Sequence, residues 1–156
     1  MEDELTKSIK ITDDIHWIGF YDEKVDLHCN PYLIIDGEDV VLLDPGSIPH
    51  FPIVMRKVIE LVNPEEITAI VVHHQDPDVC GNLAVVENLI GKNDLKIVTS
   101  DNNVRLLTHL GVVSEFYGIA KNDFQLELKS GRVLKFIPSP FLHSLCDSFN
   151  CLCPIL

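Results

Sequence analysis

Apolar residues in the first third of the chain come in short pieces separated by turn signals. Ile9-Lys10-Ile11, Ile15 to Phe20, Pro31 to Ile35 and Val40 to Leu43 each read as strands, and Asp36-Gly37 between the last two is a hairpin signal. After Asp44-Pro45-Gly46 the period changes. Val54, Met55, Val58, Ile59 and Val62 fall at helical spacing behind Pro52, which predicts a helix from Pro52 to Val62. Ile67 to Val72 is an apolar, β-branched run bounded by Pro64-Glu65-Glu66 and a histidine pair, the pattern of a strand buried on both faces. Leu83 to Ile90 predicts a second helix, stopped by Gly91. Leu95 to Thr99 reads as a strand, Asp101 to Leu110 as a third helix closed by Gly111, and Phe124 to Leu128 and Val133 to Ile137 as strands around Lys129-Ser130-Gly131. No internal repeat is present. A meander followed by alternating helices and strands predicts an α+β domain with a mixed sheet and helices against one face.

Composition narrows this picture without changing it. A chain of 156 residues that is 46% hydrophobic and 23% charged can bury one continuous core. Twelve basic against twenty-four acidic residues give a net charge of -12, and the basic residues form no patch, so nucleic acid is excluded as an expected partner. Met1 to Lys10 has neither a basic nor an apolar segment of a secretory signal, and no apolar run approaches the ~18 residues of a membrane span. The expectation is a cytoplasmic protein with no membrane partner. Its five cysteines are an odd number, which favours thiols over a disulfide framework.

The candidate chemistry lies directly after the buried strand, in His73-His74-Gln75-Asp76-Pro77-Asp78. His74, Asp76 and Asp78 occupy alternate positions where chain leaving a sheet can direct side chains into a cleft. A mixed imidazole and carboxylate set suits iron, manganese or zinc better than copper(I). Pro77 stiffens the turn and Gly81 permits close backbone approach. The competing reading makes Asp76 and Asp78 caps of the next helix and the histidines ordinary surface residues. Strand alternation sends His73 and Gln75 to the side opposite His74, so His73 is expected to be structural or to support the ligands from behind. His143 follows another apolar strand, Phe136 to Leu142, and becomes a candidate third ligand of the same ion. His16, His28, His50 and His109 have no such context and are expected to be structural.

The strand, the loop His74 to Asp78 and Gly81 resemble the flavodiiron family and its single-domain oxygen-binding diiron relatives of the metallo-β-lactamase fold, whose loop reads His-x-Glu-x-Asp-His or a close variant. Asn30 to Ile34, Leu42 to Gly46 and Phe136 to His143 extend the resemblance over about Ile9 to His143. It implies that His74, Asp76 and His143 hold one iron and Asp78 the other. It further implies part of an αββα sandwich, truncated to its N-terminal half. Val79 stands where a loop-ending His is common, and the family's bridging Asp and final His fall well beyond the position of His143. The expected organisation is a domain portion over residues 1–143 and a divergent tail over 144–156. A zinc knot from Cys146, Cys151 and Cys153 matches no common spacing.

By resemblance, the expected function is dioxygen binding or reduction at an iron centre, an iron-dependent oxidoreductase if active, or an inactive copy if truncated. No flavodoxin-like segment is present, so electrons are expected from a separate donor protein. The rivals are a zinc hydrolase of the same fold and a non-enzymatic oxygen or redox sensor. Asp76, at the second His position of the zinc-hydrolase loop His-x-His-x-Asp-His, shifts the preference from zinc toward iron. Truncation also predicts uncovered apolar faces on Ile67 to Val72 and Val133 to Ile137, and hence a homo-oligomer or aggregate.

Overall fold

The computed structural model describes residues 6–139 and 148–153. The meander is present as β1 (Ile9–Lys10), β2 (Ile15–Trp17), β5 (Tyr32–Asp36) and β6 (Asp39–Leu43), paired antiparallel in that order. Gly37 turns the last pair with φ +64°, a conformation that costs glycine little. Between β2 and β5 the chain makes a separate ribbon that the apolar pattern does not mark, β3 (Phe20–Asp22) with β4 (Leu27–Cys29).

From β6 onward the sheet continues in parallel. β7 (Ile67–Val72), β8 (Lys96–Thr99) and β9 (Glu115–Gly118) follow β6 in order, giving a seven-stranded mixed sheet β1-β2-β5-β6-β7-β8-β9. The crossovers carry α1 (Phe51–Leu61), α3 (Leu83–Ile90) and α4 (Asp101–Leu107), with a four-residue α2 (Pro77–Cys80) ahead of α3. The predicted third helix is shorter than expected, because its last turn, Thr108–Leu110, tightens to a 3-10 turn before Gly111. Gly91 ends α3 in the left-handed region, as its position predicts.

Strand alternation divides the interior into two cores. Leu42, Ile70, Val72 and Ile97 face the helices and pack with Val54, Met55, Val58, Leu83, Val86 and Leu107. Their alternates Val41, Leu43, Ala69, Val71 and Val98 face the other way. There a second, three-stranded sheet covers them, built from β10 (Gln125–Glu127), β11 (Val133–Pro138) and β12 (Ser148–Cys153). Leu126, Leu128, Leu134 and Phe136 fill this inter-sheet core.

That layer corrects one expectation. The apolar faces of Ile67 to Val72 are not left uncovered: apart from the half-buried Thr68, every residue of β7 is buried, and Leu134 is fully buried. The cause lies partly in the segment whose sequence reads as a tail, since Ser148–Cys153 pairs with β11 along six residues. Ile137, at 54% exposure, remains open.

One feature of α1 runs against its apolar pattern. Lys57 is fully buried; its ammonium donates to the Gly19 carbonyl and lies 4.3 Å from the centroid of the Trp17 ring. Burial, with a smaller contribution from Arg56, pulls its pKa down to about 8. Gly19 is required at this crossing, because a Cβ there would meet the Cys29 carbonyl oxygen at 2.3 Å.

Candidate metal centre

The loop begins at the carboxyl end of β7, a central strand flanked by the parallel β6 and β8, where α/β sheets open their binding crevices. Asp44, just past β6, fixes the start of the loop. It occupies the left-handed region at φ +52°, and its carboxylate accepts the His73 main-chain N–H at 2.9 Å and meets His73 Nδ1 at 2.7 Å. Burial pulls the His73 pKa down, but the Asp44 charge and its hydrogen bond outweigh this and the net shift is upward. His73 is thus clamped from behind.

His74 and Asp76 come together. His74 Nε2 lies 2.8 Å from Asp76 Oδ2, without the alignment of a hydrogen bond. Two ligand atoms in adjacent positions on one ion, each at ~2.1 Å, stand ~3 Å apart, so the separation fits a shared cation. Asp76 is also the N-cap residue of α2, yet its side chain makes no capping bond. The capping alternative therefore does not describe what this carboxylate does.

The rest of the loop is held by its own backbone and by two thiols. Cys80 Sγ donates to the carbonyls of Gln75 and Asp76 at 3.2 and 3.3 Å, and Cys29 Sγ donates to that of Asp78 at 3.3 Å. Gly46 N–H donates to Val79 and Asn82 N–H to Gly46, tying the loop to the turn after β6. A Cβ on Gly81 would stand 2.5 Å from the Pro77 oxygen, the close approach its position predicts.

Carboxylates act on both thiols that hold the loop. Burial first, then Asp44, Asp76 and Asp78, push the Cys80 thiol up to about 12; burial, then Asp78 and Asp44, push Cys29 up to about 11. Three carboxylates therefore act on one small volume. Among the described residues no group of three or more His, Cys, Asp or Glu side chains closes into a complete ligand set. Asp78 is partly buried in the same loop, and His143 lies outside the described residues. The tail cysteine Cys146 also lies outside them. A cleft of about 670 Å³ runs beside edge strand β9, lined by Lys96, Asp101, Tyr117 and Lys121 among others, and takes no residue from the loop.

Sequence reasoning identified the loop but missed Asp44 and the two thiols as its supports. The turn Asp44-Pro45-Gly46 is visible as a strand end, but no spacing links it to a residue 29 positions away.

The family described as ODP family beta lactamase matches residues 27–150. Among characterised proteins, the chain is 26% identical to flavo-diiron protein FprA2 of Clostridium acetobutylicum over 157 aligned positions, covering 87% of this chain and 36% of that one. Among solved structures, it is similar to a flavo di-iron protein of Thermotoga maritima, with 25% identity and a TM-score of 0.84 over 93% of this chain and 39% of the other. It is also similar to the apo chemotaxis sensor ODP of T. denticola, with 30% identity and a TM-score of 0.70 over 92% and 57%. A further structure of that sensor is described as a peroxy diiron species. The chain spans little more than a third of the length of FprA2.

Proposed function

The chain belongs to the ODP family of β-lactamase-like proteins, and we propose from this that it is an iron-binding protein whose ligand is dioxygen. The observation that carries the reading is the approach of His74 Nε2 to Asp76 Oδ2 in a loop whose Cys80 thiol feels the charges of Asp44, Asp76 and Asp78. His74 and Asp76, with His143, would hold one iron, and Asp78 would contribute to a second. Bound iron would supply a redox-active site with coordination positions open to dioxygen.

This chain's residues do the rest. Asp44 fixes His73 and so the direction in which the chain leaves β7, while Cys80 and Cys29 hold the carbonyls of Gln75, Asp76 and Asp78 and so the path of the loop backbone. The sheet behind the loop is dry, since β7 is buried between two cores. Electrons would come from a separate donor protein. The sensor name of a 30% identical relative favours reversible binding as the second reading over turnover. Among the described residues no helix is long and apolar enough to cross a membrane.

The test is anaerobic loading with ferrous iron followed by one addition of oxygen. The reading expects a change in the iron's optical absorption that the Asp76→Ala chain lacks; an oxygen-indifferent spectrum in the loaded wild type contradicts it.

A further inference from the structure

We propose that Ser47, His50 and Asp22 form a nucleophile, base and orienting carboxylate that transfer the acyl group of small uncharged esters first to Ser47 and then to water. The three residues lie outside the iron loop, and the proposal does not rest on metal. Ser47 Oγ is 2.6 Å from His50 Nδ1, and His50 Nε2 is 3.0 Å from Asp22 Oδ2. An ionised carboxylate only accepts, so the imidazole proton sits on Nε2 and the Nδ1 lone pair faces the serine hydroxyl. That tautomer is the one a general base requires.

Ser47 also forgoes the role its position offers. It stands at the N-cap of the 3-10 turn Ile48–His50, where a serine hydroxyl ordinarily accepts a main-chain N–H, yet it makes no such bond. Its hydroxyl is committed to the imidazole instead. The ring is fixed by stacking on Phe20, with centroids 4.0 Å apart and planes at 25°, and Asp22 Oδ1 accepts the Lys24 N–H at 3.0 Å. The hydrogen bond from His50 also holds the Asp22 carboxyl below its ordinary pKa, so it is ionised at neutral pH. Compared with the familiar arrangement the ring is turned, Nδ1 toward the serine and Nε2 toward the carboxylate, which leaves the proton inventory the same.

Ser47 and His50 are both partly exposed, and 14% of the His50 side chain is open to solvent. Ile48, at 62% exposure, offers an apolar contact beside it. The chain's charge of -12, with Glu23 and Asp26 close in sequence to Asp22, repels anionic substrates, which leaves neutral esters as the class. In the first step Ser47 Oγ bonds to the ester carbonyl carbon, its proton passes to His50 Nδ1, and the ester C–O bond breaks as the leaving oxygen takes that proton. In the second step water adds to the acyl carbon with His50 as base, and the Ser47 C–O bond breaks to release the carboxylic acid.

The test uses the full chain without added metal, p-nitrophenyl acetate as substrate and a fluorophosphonate as covalent probe. One phosphonyl group per chain is expected on the peptide carrying Ser47, with ester hydrolysis lowered at least ~100-fold in Ser47→Ala and in His50→Ala. Added imidazole should restore part of the His50→Ala rate, and Asp22→Asn should lower kcat with KM unchanged. The fluorescence of Trp17, the single tryptophan, reports whether each variant is folded. Labelling elsewhere, no labelling, a folded Ser47→Ala that hydrolyses at the wild-type rate, or a His50→Ala that imidazole does not rescue would each overturn the proposal.

Discussion

At the scale of single residues, the loop His74 to Asp78 is defined as much by what lies behind it as by its own candidate ligands. Asp44 accepts a left-handed backbone, a conformation that costs a non-glycine residue of order 1 kcal/mol, and in return grips both the amide and the ring of His73. The two thiols are donors rather than nucleophiles. With pKa values pushed up to about 11 and about 12, Cys29 and Cys80 should not react with a disulfide reagent in the folded chain at pH 8, and should react fully once it is unfolded. The sign of their effect on stability follows. Unfolded thiols lose their protons near 9, the folded ones only at about 11 and about 12, so between those values the folded state binds more protons and stability falls as pH rises. Denaturant titrations at pH 8 and pH 11 should show this fall, and it should be smaller in a Cys29→Ala, Cys80→Ala chain. His74 and Asp76 were legible because alternate polar residues follow an apolar strand. The thiols were not, since a lone cysteine carries no period.

Among the elements, those with a strong period were the ones the sequence marked. β7 reads as buried on both faces because it is apolar apart from Thr68, and α1 and α3 read as helices because their apolar residues recur at helical spacing. The ribbon β3–β4 and the edge strand β9 escaped because each is three or four residues long and mixed in polarity. Lys57 is the position at which the helical pattern misleads, a charged residue on the core side of α1. Its ammonium is held by the Gly19 carbonyl and the Trp17 face, yet burial lowers its pKa from 10.5 to about 8. The unfolded chain therefore binds this proton more tightly than the folded one, and from about pH 8 to 10.5 its contribution to stability rises with pH. Comparing wild type with Lys57→Met in denaturant at pH 7 and pH 10 should show the difference moving in favour of wild type at the higher pH. No change in the difference would mean that the ammonium is not penalised by burial.

For the molecule as a whole, the layer order is helices, mixed sheet, small sheet. The helical layer and the mixed sheet follow from the order of patterns along the chain. The third layer follows only in part: β10 and β11 fall on strands that the pattern marks, while β12 comes from Ser148 to Cys153, where the sequence changes character and reads as a tail. Its pairing with β11 completes a core around Leu134, which is fully buried against Val41, Val71 and their neighbours. Leu134→Ala should cost ~2–5 kcal/mol in denaturant unfolding, the loss expected for a buried leucine, whereas a value under ~1 kcal/mol would mean that the small sheet does not cover the larger one. The arrangement leaves the candidate metal loop at the carboxyl ends of the parallel strands with buried apolar protein behind it. The most direct test of that centre is the iron retained per chain after anaerobic ferrous loading and desalting, compared for wild type, His74→Ala and His73→Ala. Removal of a ligand should weaken binding more than the ~10–100-fold typical of a supporting residue, so His74→Ala should retain almost no iron, while His73→Ala, whose main-chain N–H still reaches Asp44, keeps most of it. Iron retained by His74→Ala at the wild-type level, or lost equally from both variants, would contradict the assignment.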